Sequence, residues 1–176
     1  MATKTLLTVE DFMPVFESMD GWCELVDGEV REVSPGAFLH NHVRDTLLVI
    51  LRTFVDRRKL GTVVSEQPFK LFENTVRFPD IAFVWAKREL PPRGFPKGGP
   101  DLAIEVISPT NTPREMDRRV SDYFASGCKR IWLVYPEERE VYIHGLSGVT
   151  RRKGDDLLED SELLPGFSVG LSKVFE

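Results

Sequence analysis

Cysteine is nearly absent. Cys23 and Cys128 are the only two in 176 residues, too few for a disulfide framework, and two isolated thiols read as small buried hydrophobes in a reducing cytoplasm. Long apolar runs are missing as well. No stretch approaches the roughly 18 residues of a spanning helix, and the opening MATKTLLTVEDFMPVF is broken by Glu10, Asp11 and Pro14, so neither secretion nor membrane insertion is expected. Positive charge is short: 23 Lys and Arg against 28 Asp and Glu leave a net charge of -5 and a pI near 5.3. That balance excludes holding nucleic acid by bulk electrostatics, which draws on many Lys and Arg contacts to phosphate, so any such contact must be local. Internal repeats, low-complexity tracts and linkers are lacking too. What remains, 41% hydrophobic and 29% charged residues, has the size and mix of one compact domain over residues 1-176.

The pattern that is present alternates helices and strands, an α/β arrangement. Thr8 followed by acidic Glu10 and Asp11 reads as a capped helix start, with Phe12, Val15 and Phe16 forming its apolar face to about Met19. Trp22 to Val26 and Glu29 to Val33 flank Asp27-Gly28, a hairpin dipeptide. From Asn41 to Lys59, Val43, Leu47, Leu48, Leu51, Phe54 and Val55 recur at threes and fours, which predicts a long amphipathic helix. Three strands come next, Thr62 to Ser65, Phe69 to Phe72 and Ile81 to Trp85, with turn residues at Glu73-Asn74-Thr75. The breakers Pro91, Pro92, Gly94, Pro96, Gly98, Gly99 and Pro100 make Lys87 to Pro100 an exposed loop. Leu102 to Ile107 reads as a central strand buried on both faces. Asn111-Thr112-Pro113 opens a helix that stops at Gly127, and Lys129 to Tyr135 and Val141 to His144 are two further strands. From Gly145 on, the basic trio Arg151 to Lys153, an acidic stretch and a last apolar piece are visible, without assigned elements.

The informative residues are acids set in or beside apolar strands. Asp80 opens IAFVW, and Glu105 sits in the middle of LAIEVI. A carboxylate aimed into a core is strongly unfavourable unless paired or metal-bound. Two carboxylates about 4 Å apart repel by roughly 4 kcal/mol at an effective dielectric near 20, a cost that a shared Mg²⁺ or Mn²⁺ reverses. Converging strand acids therefore suggest a divalent-metal site.

RFPDIAFV followed by PDLAIEVISPTN resembles the PD…(D/E)xK core of the restriction-endonuclease-like superfamily. With CELVDGEVREVSPG, the His40 region and DRRVSDYFASGCKRIWLVYP in the same order, the chain is similar to the Uma-type restriction endonucleases of bacteria over most of its length. The resemblance implies a restriction-endonuclease-like mixed central sheet flanked by helices. It also implies DNA as substrate and one or two Mg²⁺ ions, with Mn²⁺ as substitute, that activate water for attack on a phosphodiester. Asp80 and Glu105 match the ligand positions, and Glu24 falls where the family has a third acid, on the metal or just outside it. The superfamily lysine two residues after the second acid is Ile107 here. In the Uma-type branch it has moved to the following helix, at a position held here by Arg119. A guanidinium stabilises charge building on phosphate but accepts no proton.

Other polar residues carry plainer readings beside functional ones. Gln67 and Ser108 orient ligands or water, or simply serve turns and strand ends. His40 matches a family position, yet it and His42 lie two apart and so on different helix faces, which argues against a joint metal site. Arg57, Arg58 and Lys59 complement a helix C-terminus, and they, Arg114, Arg118 and Arg151 to Lys153 are solvated charges or DNA contacts. Trp132, Tyr135 and Tyr123 read as packing rather than base stacking. Three hypotheses stand: a Mg²⁺-dependent endonuclease, a catalytically inactive nuclease fold that binds nucleic acid or protein, and carboxylates that pair with Arg119 only for structure. A homodimer through exposed strand edges is compatible with each.

Overall fold

The computed structural model describes residues 6–19, 23–33 and 36–176, so Trp22 and the hairpin's approach lie outside the described residues. Helix α1, Val9–Ser18, begins with a reciprocal cap: the Asp11 amide donates to the Thr8 hydroxyl while the Asp11 carboxylate accepts from the Thr8 amide. Strands β1 (Cys23–Val26) and β2 (Glu29–Glu32) pair antiparallel about Asp27 and Gly28. Both turn residues have positive φ, 51° and 78°, as a two-residue hairpin with primed-turn twist requires. Helix α2, Phe38–Arg58, starts three residues before the periodicity predicts. Its buried stripe is Val43, Leu47, Leu51 and Val55, whereas Phe38 and Leu39 are exposed and leave no inward signal in the first turn.

Strands β3 (Gly61–Ser65), β4 (Phe69–Phe72), β5 (Thr75–Arg77), β6 (Ile81–Trp85) and β7 (Leu102–Val106) come after it. The expectation of three strands before the loop needs correction, because Thr75 is not turn but the start of β5. Only three residues long and ending in an arginine, β5 shows no apolar run, yet it pairs with both β1 and β4 and is wholly buried. Helix α3, Pro113–Ala125, carries a second reciprocal cap between Thr112 and Glu115. Strands β8 (Arg130–Tyr135), β9 (Glu140–Gly145), β10 (Gly148–Lys153), β11 (Leu157–Glu159) and β12 (Ser168–Gly170) and a closing 3₁₀ turn, Leu171–Val174, complete the chain.

Among the described residues two larger sheets form. One has order β10-β9-β8-β7-β6-β3 and the other β2-β1-β5-β4. The six-stranded sheet is mixed: β7 runs parallel to β8, with α3 as the crossover, and antiparallel to β6. Helix α2 packs on one face of it through Leu47, Leu51 and Val55 against Ile81, Leu102, Ile104 and Val106. On the other face Met116 and Tyr123 of α3 pack with Ala82, Val84, Ala103 and Leu133. Because strand side chains alternate, Ile104 and Val106 face α2 while Ala103 and Glu105 face α3. Cys23 and Cys128 are free and buried, as expected, and burial pushes the Cys128 thiol up to about 12. Among the described residues no helix is long and apolar enough to cross a membrane.

Candidate metal and phosphate site

Strands β6 and β7 pair with Ile81 opposite Ile104 and Ala82 opposite Ala103. Continuing that register by one residue sets Asp80 directly across from Glu105, at a separation where cross-strand side chains interact. The two acids that the sequence singles out thus meet at one end of the six-stranded sheet. Asp80 is tied to that end twice: its Oδ2 accepts from the Val106 amide at 2.7 Å, and its Oδ1 lies 3.2 Å from His40 Nε2 in the first turn of α2. The Asp80 hydrogen bond raises the His40 pKa above its ordinary value, against the effect of burial. His40 Nδ1 is buried without a hydrogen-bond partner.

Glu105 is buried in the middle of β7. Its Oε1 accepts from the Tyr123 hydroxyl at 2.6 Å and from Arg119 Nη1 at 3.3 Å. Both donors come from α3, four residues apart and therefore on one helix face. Oε2 accepts no hydrogen bond from any described residue. Burial pushes the Glu105 carboxyl up to about 7; the charge of Asp80 adds to the rise, and Arg119 opposes it.

Glu24, the third acid, comes from β1 in the other sheet, and its carboxylate is taken up by cations. Arg119 donates to it through both terminal nitrogens, at 2.9 and 3.0 Å, Arg77 donates at 3.0 Å, and the Phe78 amide at 3.2 Å. Burial alone would raise this carboxyl, but Arg119 and Arg77 together hold it below its ordinary value. Burial likewise works against the charge on Arg119, and Glu105 and Glu24 more than offset it. Arg77 reaches on to Asp122 at 2.7 Å, and Arg118 contacts Asp27 in the hairpin turn.

The donor set fits a hard divalent cation in a limited way. Carboxylate oxygens suit Mg²⁺ or Mn²⁺, and Glu105 Oε2 is uncommitted beside a second acid, where burial and the charge of Asp80 disfavour its ionised form unless further positive charge is present. Among the described residues no group of three or more His, Cys, Asp or Glu side chains is placed to hold a metal ion. The arrangement therefore matches a cation held by one or two carboxylates and completed by water and phosphate, with Glu24 engaged elsewhere. The Gln67 amide donates to the Pro68 carbonyl. Ser108 serves the turn after β7, its amide donating to Asn111 Oδ1 and its hydroxyl lying 3.2 Å from that of Thr110. Sequence reasoning missed Tyr123, read as packing, and the Arg77–Asp122 pair. The four-residue spacing of Tyr123 from Arg119 is the signal that could have found the first.

Residues 9–172 match the model of the Uma2 family, described as "Putative restriction endonuclease". Among solved structures, a crystal structure described as a putative nuclease belonging to DUF820, from Anabaena variabilis ATCC 29413, superposes with a TM-score of 0.84. It is 16% identical, over 96% of this chain and 97% of that one, and at that identity the likeness shows the fold. No curated protein matches the chain.

Proposed function

The chain belongs to the Uma2 family of restriction-endonuclease-type proteins, and from that premise we propose that it is a divalent-cation-dependent endonuclease hydrolysing DNA phosphodiester bonds, acting as one domain in the cytoplasm. The observation that carries the reading is the facing of Asp80 and Glu105 across β6 and β7, with Glu105 Oε2 uncommitted. In this reading Asp80 and Glu105 hold Mg²⁺, with Mn²⁺ as substitute. When bound, the ion supplies Lewis-acid polarisation of a phosphoryl oxygen and a water of lowered pKa.

The protein's own residues do the positioning. The Val106 amide and His40 fix the two oxygens of Asp80. Tyr123 and Arg119 fix Oε1 of Glu105 and leave Oε2 for the cation. Arg119 retains Nε–H and one N–H of Nη2 beyond its bonds to Glu24 and Glu105, and these can stabilise charge on the phosphate. Glu24, itself held by Arg77, holds Arg119 in place, so that Glu24 supports the site from outside the cation's own ligands.

A second reading, a nuclease fold that binds nucleic acid or protein without cleaving, is favoured by Arg119 itself. Its guanidinium closes an ion pair between Glu24 and Glu105 and accepts no proton. Calorimetric titration of Mg²⁺ and Mn²⁺ into wild type, Asp80→Ala and Glu105→Ala, followed by plasmid nicking, separates the two. Metal binding and nicking by wild type, both lost in the variants, are expected. Binding without nicking selects the second reading, and no binding in wild type overturns the metal assignment.

A further inference from the structure

Phe38 is the most exposed of the large apolar side chains among the described residues, at 86%. It opens α2, and its ring stacks on His42 one turn later, with centroids 6.1 Å apart and planes within 5°. The same turn is pinned to the acids by His40, whose Nε2 lies 3.2 Å from Asp80. Two residues correspond to about 200° around a helix, so Phe38 and His42 stand on the face turned away from His40, one helix width or about 10 Å across. A strand lying at Asp80 and Glu105 reaches this aromatic pair by crossing the first turn of α2.

The charges around the site indicate what kind of strand that is. Arg119 is committed to Glu24 and Glu105, Arg77 to Glu24 and Asp122, Arg44 to Asp45 and Glu66, and Arg118 to Asp27. Arg31, opposite Glu24 in the hairpin, and Arg114, in the first turn of α3, are exposed and carry no ion pair among the described residues. A duplex gripped through its backbone draws on many such cations, and these two arginines, on the hairpin and on α3, do not supply them at the acids. An unpaired strand can instead be held by stacking its bases on aromatic rings, supplemented by a few phosphate contacts.

We infer that Phe38, backed by His42, is a stacking platform for an unpaired base, so that the site takes single-stranded or locally unpaired nucleic acid. Nucleic acid as the ligand, and cleavage of the bound strand, rest on the nuclease reading, whereas the stacking rests on Phe38 and His42. The test is the fluorescence of an oligonucleotide carrying 2-aminopurine, with Ca²⁺ replacing Mg²⁺, titrated with wild type, Phe38→Ala and Phe38→Trp. Single strand binds with quenching, the matching duplex binds far more weakly, Phe38→Ala weakens single-strand binding roughly five- to 150-fold, and Phe38→Trp restores it.

Unchanged affinity in Phe38→Ala, or equal affinity for the duplex, overturns the inference. So does a Phe38→Ala variant that converts a dimer to a monomer in sedimentation while binding the oligonucleotide as before, since the ring then serves self-association. A strand bound through Phe38 but never cut in Mg²⁺ supports the platform and defeats the nuclease reading. Cleavage of single strand and duplex alike, indifferent to Phe38→Ala, does the reverse.

Discussion

Glu105 gains its character from where the chain puts it: a carboxyl in the middle of a strand buried on both faces, with one oxygen held by Tyr123 and Arg119 and the other free. Its ordinary value of 4.5 applies to the unfolded chain, and burial raises it to about 7 in the fold. The folded protein therefore keeps this proton to higher pH than the unfolded one, so the stability contributed by Glu105 is full below 4.5 and is lost as pH rises through about 7. In metal-free protein the urea midpoint is expected to show a decline between those limits, and Glu105→Gln to remove it; an identical pH profile in the variant would refute the assignment. The sequence made this acid visible because a charge amid LAIEV breaks an otherwise apolar run. It did not make the partners visible. Arg77 sits in a strand too short to show its period, and Tyr123 on a helix face looks like any other buried aromatic.

At the level of elements, local chemistry and tertiary position reinforce each other most clearly in α3. Its start is set by the Thr112–Glu115 cap, and its inner face delivers Arg119 and Tyr123 to Glu105. Thr112→Ala is expected to cost about 1 kcal/mol, within the roughly 0.5–2 kcal/mol typical of lost N-caps, measured by chemical denaturation; a loss near zero would mean that tertiary packing alone fixes the helix start. Caps, turns and long apolar stripes were readable from the order of residues alone: Thr8, Asp27-Gly28, Asn111-Thr112-Pro113 and the stripe from Val43 to Val55 each name an element. Elements whose stability comes from neighbours rather than from themselves were not. Strand β5 is three residues held between β1 and β4, and β10 is exposed along most of its length and set only by pairing with β9.

Across the whole molecule, the two larger sheets are joined by charge as well as by packing. Glu24 and Arg77 belong to the four-stranded sheet, Arg119 and Asp122 to α3, and Glu105 to the six-stranded sheet, and a continuous set of ion pairs runs through them. Glu24 is the joint, so Glu24→Ala takes one carboxylate from each of two arginines and leaves Arg77 only Asp122 and Arg119 only Glu105. The expected loss is about 3–5 kcal/mol in urea unfolding, as for other broken buried pairs. A loss below about 1 kcal/mol would show that the arginines find other partners. The mixed α/β class was legible from the alternation of periods, but the partition into two sheets was not, because which strands pair is decided by contacts distant in sequence.

The antiparallel register of β6 and β7 also bears on how relatives of this chain can differ. The acids face each other because each is counted from a strand, while the residues between those strands, from Ala86 to Asp101, form an irregular rim. That rim joins the strand ends remote from the acids, so insertions or deletions in it leave the pair intact. A single-residue insertion or deletion within either strand turns its acid to the opposite layer. Divergence in the family should therefore collect in loop length, with the spacing inside each strand held fixed.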